Sequence, residues 1–260
     1  MKTYTKESLI QSLDEIRKQG WIENKRPGNA GGIGNTLEDL LDIEENNLPI
    51  PNASEWELKC QRSNSTSLLT LFHMEPSPTA LKFVPRILLP NYGWPHSEAG
   101  RKYNINEKSF RQTISGNKRS NRGFKVVINR NNRKVLVSFD KKSVSEENNE
   151  WLEEVKQKTG DEELDPQPYW GFEDLMYKAG TKLKNCFYIL ADAKKEGRIE
   201  FFKYSEILIL QSFNLEGLLR GLEQGFVYVD FDARTGHNHG TKFRIRSNQI
   251  PELYETISKK

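Results

Sequence analysis

Between Ser54 and Cys60 the sequence reads Ser-Glu-Trp-Glu-Leu-Lys-Cys, with polar and apolar side chains alternating at every step. Successive side chains of a strand point to opposite faces. Trp56, Leu58 and Cys60 therefore share one face, expected to be buried, and Glu55, Glu57 and Lys59 share the other. Glu57 and Lys59 would stand roughly 7 Å apart, two residues along a rigid strand. A carboxylate and an ammonium held this way suit metal-assisted phosphodiester hydrolysis. The carboxylate holds Mg²⁺ against a phosphate oxygen, and the lysine positions or polarises the attacking water.

The spacing alone is common, since Glu23-Asn24-Lys25, Asp140-Lys141-Lys142, Glu154-Val155-Lys156 and Asp192-Ala193-Lys194 share it. The neighbourhood sets this copy apart. Gly31-Gly32-Ile33-Gly34 reads as a glycine-rich turn, and Asn35-Thr36-Leu37-Glu38-Asp39-Leu40-Leu41 as the start of a capped helix with Glu38 one turn inside. Asn46 to Pro51 lacks helical periodicity and carries the chain to Asn52, five residues before Glu57.

The Gly-x-x-Gly turn, a helix carrying a glutamate, and a loop leading to Glu57-Leu58-Lys59 closely resemble the MvaI/BcnI group of restriction endonucleases, relatives of the mismatch-repair nickase MutH. The resemblance implies an α/β fold of the PD-(D/E)xK, MutH-like kind: a central mixed sheet flanked by helices, with a second DNA-recognition lobe. It implies Mg²⁺-dependent cleavage of double-stranded DNA. In that pattern Asn52 and Glu57 flank the metal, Lys59 handles the water and Glu38 supports the site. Where the family has a metal-binding aspartate this chain has Asn52, whose amide offers an oxygen without the charge that helps strip water from a hard cation. Either this is an inactivated form of the enzyme or its natural metal site is unusual. By analogy with the family the target is a short G·C-rich site, the enzyme a monomer, and a cognate DNA methyltransferase its companion.

Composition sets wider bounds. The 260 residues suffice for one large domain or two lobes. With 35% hydrophobic and 29% charged residues and a mean hydropathy of −0.75, the chain reads as soluble. No apolar run reaches transmembrane length, the first residues lack a signal-peptide core, and Cys60 and Cys186 are too few for a disulfide scaffold or zinc site. A reducing cytoplasm, away from membranes, is the expected location. The net charge of +3 argues weakly for nucleic acid, but 101–142 is rich in Lys and Arg while 146–165 is acidic.

Elsewhere the pattern predicts a helix over 5–19, a strand over 67–72 closed by His73, and strands over 110–114, 123–129 and 134–139 in a β-rich insertion at about 102–165. Helices are expected at 149–158, 170–179 and 215–224, and strands at 186–192 and 198–204, with a further apolar element at 206–213. Lys118 and Arg119, in a basic loop, are candidates to clamp the DNA backbone. In this family histidines reach the centre of the recognition site, which makes His73 a candidate too. Lys182-Leu183-Lys184 before an apolar strand resembles the MutH segment that supplies a further active-site lysine, so Lys182 and Lys184 join the catalytic candidates.

Residues 225–246 read as two strands whose loop is crowded with hydrogen-bonding groups. Arg and Lys pair with guanine N7 and O6, and Asp accepts from cytosine N4. Asp232, Arg234, His237, His239, Lys242, Arg244 and Arg246 are therefore expected to touch DNA. His237 and His239 lack an evident third ligand for a metal. The expected organisation is a nuclease core lobe at 1–213 with a recognition lobe at 214–260 packed on it. Three functions are compatible with these features: a type II restriction endonuclease, a MutH-like repair nickase, and a DNA-binding protein that has lost catalysis at Asn52.

Overall fold

The computed structural model describes residues 4–28, 31–43, 53, 55–160 and 163–260. Asn52 and the loop leading to it lie outside the described residues. The chain packs into two compact units, Met1–Leu69 with Tyr177–Leu215 and Arg246–Lys260, and Thr70–Met176 with Glu216–Ile245. This differs from a division at 213/214. The β-rich insertion groups with the 227–245 hairpin rather than with the nuclease strand, and the last fifteen residues group with the nuclease strand.

In the first unit the helix Lys6–Lys18 begins with a capping box: Ser8 N–H donates to Thr5 Oγ1 at 3.2 Å and Thr5 N–H to Ser8 Oγ at 2.9 Å. It buries Leu9, Leu13 and Ile16, the residues whose spacing predicted it. The second helix runs Gly32–Leu40, so it starts inside the glycine-rich turn and not at Asn35. Its first residue lies against Asn24. That side chain donates to Glu200 Oε2 at 2.9 Å and accepts from Arg26 N–H at 2.9 Å and Thr36 Oγ1 at 3.3 Å. A Cβ on Gly32 would stand 2.9 Å from Asn24 Nδ2 and 3.3 Å from the Arg26 carbonyl. We expect Gly32→Ala to lower stability by about 1–3 kcal/mol, as overpacking does. A urea midpoint equal to that of the parent would show that the Asn24 hub can yield.

The sheet of this unit has the order Ile22–Glu23, Ile199–Phe213, Asn185–Glu196, Trp56–Arg62, with Tyr254–Lys259 also paired to Ile199–Phe213. Trp56–Arg62 runs parallel to Asn185–Glu196 and the other pairings are antiparallel, giving a mixed sheet. The elements expected at 198–204 and 206–213 are one strand. A register shift between Tyr204 and Glu206 breaks the alternation that would have joined them. Leu9, Leu13, Ile33 and Leu37 from the two helices share a buried cluster with Trp56, Leu58, Phe187, Ile189 and Phe202. The Trp56 and Phe187 rings lie 4.7 Å apart.

The second unit contains two sheets. One has the order Leu68–His73, His237–Arg246, Val227–Arg234, Lys108–Ile114, Trp94–Pro95, and the other Arg122–Asn129, Lys134–Val144, Tyr169–Gly171. Buried Phe72 stacks on Phe243 at 4.7 Å, and Phe110 packs edge-on against Phe124 and Phe231. The insertion strands and the helices Asn149–Thr159 and Leu215–Gln224 fall where expected. The helix expected from Trp170 begins at Phe172 and extends to Lys182, because Tyr169–Gly171 first pairs with Lys134–Leu136 as a strand. Among the described residues no helix is long and apolar enough to cross a membrane.

Candidate active site and DNA-reading face

The strand Trp56–Arg62 carries its two faces into different surroundings. Trp56 and Leu58 enter the helix-covered core as the alternation predicted. Of the other face Glu55 is exposed and Lys59 half-buried, but Glu57 is only 1% exposed. The reason is the parallel neighbour, which sets Glu57 opposite Cys186 and Lys59 opposite Tyr188. Parallel strands are usually covered on both faces. Cys186 and Tyr188 are themselves buried, and Tyr254 is hydrogen-bonded to Cys186 beside them. Burial pushes the Cys186 thiol up to about 12 and the Tyr254 hydroxyl well above its ordinary range, and the Glu57 charge adds to both.

Lys59 Nζ lies 2.7 Å from Glu57 Oε1, and Lys182 Nζ lies 3.6 Å from the same oxygen. Among the described residues, Glu57 Oε2 is buried without a hydrogen-bond partner. Lys182 was expected to lead into a strand. It is instead the last residue of the helix Phe172–Lys182, which continues past Ala179 through Gly180. Burial lowers the Lys182 pKa; the Glu57 carboxylate opposes that shift, and the Lys59 ammonium reinforces it. Lys184, two residues on, is exposed. Glu38 is half-buried near the Cys60 thiol, where burial chiefly, and the Glu38 charge additionally, push that thiol up. Its helix neighbour Asp39 pairs with Arg26 at 2.7 Å. Cys60 lies on the opposite face of the strand from Glu57, so the helix carrying Glu38 backs the strand from behind.

In the second unit the strand Val227–Arg234 alternates without a break. Val227, Val229, Phe231 and Ala233 are buried, while Asp230, Asp232 and Arg234 are half-buried on the other face. Lys242 and Arg244 of the partner strand point the same way, as do Arg111 and Thr113 of Lys108–Ile114. These groups interlock. Asp232 pairs with Arg111 Nε and Lys242 Nζ, each at 3.0 Å, and Asp230 accepts from Thr113 Oγ1 at 2.7 Å and Arg244 Nη1 at 3.1 Å. Arg234 pairs with Glu107 at 3.0 Å and lies over the Tyr103 ring at 4.6 Å. Burial raises the Asp232 pKa, but Lys242 and Arg111 outweigh it and hold the carboxyl below its usual value.

His237 and His239 are exposed at the start of their strand, with ring centroids 4.3 Å apart. His73 is exposed at the end of Leu68–His73, beside Gly240, where an added Cβ would lie 3.5 Å from its Cδ2. Glu75 fixes this corner by accepting from Thr241 N–H at 2.9 Å and Thr241 Oγ1 at 3.1 Å. The structure thus groups His73, Asp232, Arg234, His237, His239, Lys242 and Arg244 in one unit, whereas exposed Arg246 belongs to the other.

Lys118 is exposed on its loop, whereas Arg119, also in that loop, is half-buried and engaged within the fold. It donates to the Gly123 carbonyl at 2.8 Å and to Ser138 Oγ at 3.0 Å, with Asp140 at 3.7 Å. The register shift at Gly123 exposes that carbonyl, and the guanidinium satisfies it.

Residues 10–254 match the MvaI/BcnI restriction endonuclease family. The chain belongs to that family. It is a type II restriction endonuclease, a sequence-specific DNA endonuclease with a mixed α/β fold. Among solved structures it is similar to a complex of restriction endonuclease MvaI with its cognate DNA substrate, at 28% identity over 99% of each chain and a TM-score of 0.77. MvaI in the absence of DNA is also similar, at 28% identity over 100% of this chain and 99% of that one, with a TM-score of 0.56. No curated protein sequence gave a match.

Restriction endonucleases generally use divalent metals. The unpartnered Glu57 Oε2 is an available hard donor. No group of three or more His, Cys, Asp or Glu side chains that could hold a metal occurs among the described residues. Sequence reasoning missed Arg111, Glu107 and Asp230. Arg111 and Asp230 were available from strand alternation, but Glu107 lies 127 residues before Arg234 and carries no local signal.

Proposed function

We propose that this restriction endonuclease hydrolyses duplex DNA with Mg²⁺ at a short G·C-rich site. The observation that carries the metal reading is the buried Glu57 carboxylate, one oxygen held by lysines and the other without a partner. Glu57 would hold the cation through Oε2, with the Asn52 amide as a second, neutral donor. Bound Mg²⁺ supplies Lewis-acid polarisation of a phosphate oxygen. Lys59, fixed by its short contact to Oε1, orients the attacking water. Lys182, whose proton is more easily lost than that of an ordinary lysine, is placed to receive one from that water. Glu38 steadies the strand from its other face.

On the second unit Arg234, Lys242 and Arg244 offer donors suited to guanine edges, and Asp232 an acceptor suited to cytosine N4, which favours G·C pairs. His73, His237 and His239 border that face, and Lys118 and Arg246 would meet phosphates. As in the family resemblance, the enzyme acts as a monomer in the cytoplasm beside a methyltransferase that protects the same site.

A digest of supercoiled plasmid with Mg²⁺ tests this reading. Defined linear fragments are expected. Nicked circles alone would indicate a MutH-like nickase, and a gel shift without cleavage a binding protein inactivated at Asn52. Asn52→Asp supplies the anionic oxygen that the family places there. It should raise cleavage by about tenfold or more, equivalent to 1.4 kcal/mol or more of barrier. An Asn52→Asp enzyme with the parent's rate and Mg²⁺ requirement would remove residue 52 from the metal site.

A further inference from the structure

On the outward face of Lys108–Ile114, Val227–Arg234 and His237–Arg246, Arg111 and Lys242 pair with Asp232, Arg244 with Asp230, and Arg234 with Glu107. Four cations thus stand against three carboxylates in one sheet. Asp232 is bridged from both sides, with one oxygen to each flanking strand. Arg234 is held by a Glu107 side chain that is only 9% exposed and by the Tyr103 ring.

Non-specific DNA affinity comes from cations that neutralise phosphates and release condensed counterions. A guanidinium or ammonium already balanced by a carboxylate 3.0 Å away has little charge left for a phosphate. We propose that Asp232, assisted by Glu107, is a specificity-determining residue that acts by internal competition: it keeps the cations of the reading face engaged, so that unrelated DNA meets a nearly neutral surface. Only base edges that can replace the internal partners, or share them, draw these cations out. The ionised carboxylate has about four acceptor sites, so Asp232 can keep its ion pairs while a base donates to it. This inference rests on the DNA-reading role given above to this face and adds how that face rejects the wrong sequence.

The test measures binding in EDTA, across a salt series, of two duplexes: one containing the sequence cut in the plasmid digest, the other a scramble of the same composition. Asp232→Asn keeps the shape and an acceptor oxygen but removes the charge. It should bind the scrambled duplex on the order of tenfold more tightly at low salt, with a log–log salt slope steeper by about one to two, as expected when two cations become available. The ratio of specific to scrambled affinity should fall. Asp232→Asn combined with Lys242→Met and Arg111→Met should return the slope to the parent value.

Unchanged or weaker binding of the scrambled duplex by Asp232→Asn would overturn the proposal. So would a loss confined to the specific duplex, which would make Asp232 only a base reader. If Asp232→Asn does not fold by its urea transition, Glu107→Gln, which releases Arg234, must show the same rise on scrambled DNA or the proposal fails. Failure of the underlying DNA-reading role is separately visible, because the parent enzyme would then bind both duplexes alike.

Discussion

Glu57→Gln should lower the cleavage rate by about 10³-fold or more and leave specific DNA binding in place. The amide preserves the outline of the side chain but removes the buried negative charge that faces Lys59 and Lys182. A held cation contributes several kcal/mol of transition-state charge stabilisation, and about 4 kcal/mol corresponds to that factor. Binding should persist because the reading face belongs to the other unit and keeps its own ion pairs. A second consequence follows for stability. Removing one member of a buried ion pair costs about 3–5 kcal/mol, because its partner is left uncompensated. Lys182 softens that cost, since without Glu57 its pKa falls further and it can shed its proton. Single-turnover cleavage, gel shifts in EDTA and urea unfolding of the same preparation separate these effects. A rate within a fewfold of the parent would mean that the unpartnered Oε2 holds nothing the reaction needs.

The elements legible in the sequence were those whose patterns are local. Leu9, Leu13 and Ile16 at helical spacing behind Thr5, and the insertion strands about the 129–133 turn, needed no distant partner to be read. Where the reading departed, a non-local contact decides the outcome. Gly32 looks like part of a turn, but it is the first residue of a helix, and its close approach to Asn24 leaves little room for a Cβ. The bulge after Tyr204 shifts the alternation by one residue and made one strand resemble two elements. The site divides in the same way. Glu57-Leu58-Lys59 stood out only through its neighbourhood, for Glu23-Asn24-Lys25 has the same spacing and its Asn24 serves as a structural hub. Alternation placed Glu57 and Lys59 on one face but said nothing of what covers it. Glu57 is buried there because Cys186 and Tyr188, some 130 residues on, pair alongside. Arg119 illustrates the opposite case: a basic loop reads as solvated, yet its guanidinium donates to the Gly123 carbonyl, a contact with no local signal in the sequence.

Lys59→Ala should abolish cleavage while leaving specific DNA binding largely intact, and it tests the water-handling role apart from the metal because Lys59 is not a proposed ligand of the cation; urea unfolding of the variant accounts for the lost ion pair to Glu57. Its ammonium sits 2.7 Å from Glu57 Oε1, close enough for a charge-assisted hydrogen bond that fixes its position. Lys182, at 3.6 Å, is held more loosely and has the lowered pKa. The two lysines should therefore fail differently. Loss of Lys59 removes the group that orients the water, and no residual slope with pH should remain. Loss of Lys182 in Lys182→Ala removes a proton acceptor, worth about 10²–10⁴-fold, and with it a distinctive pH dependence. The direction of that dependence is set by the shift: the neutral amine becomes populated as pH rises through a value below the ordinary 10.5, so the parent rate should climb with pH through that window. Lys182→Ala should be slow and flat there, and Lys59→Ala inactive throughout. Near-normal digestion by Lys59→Ala would discard the active-site assignment altogether and leave Glu57-Leu58-Lys59 as one more chance match among the acid-x-Lys triplets of this chain.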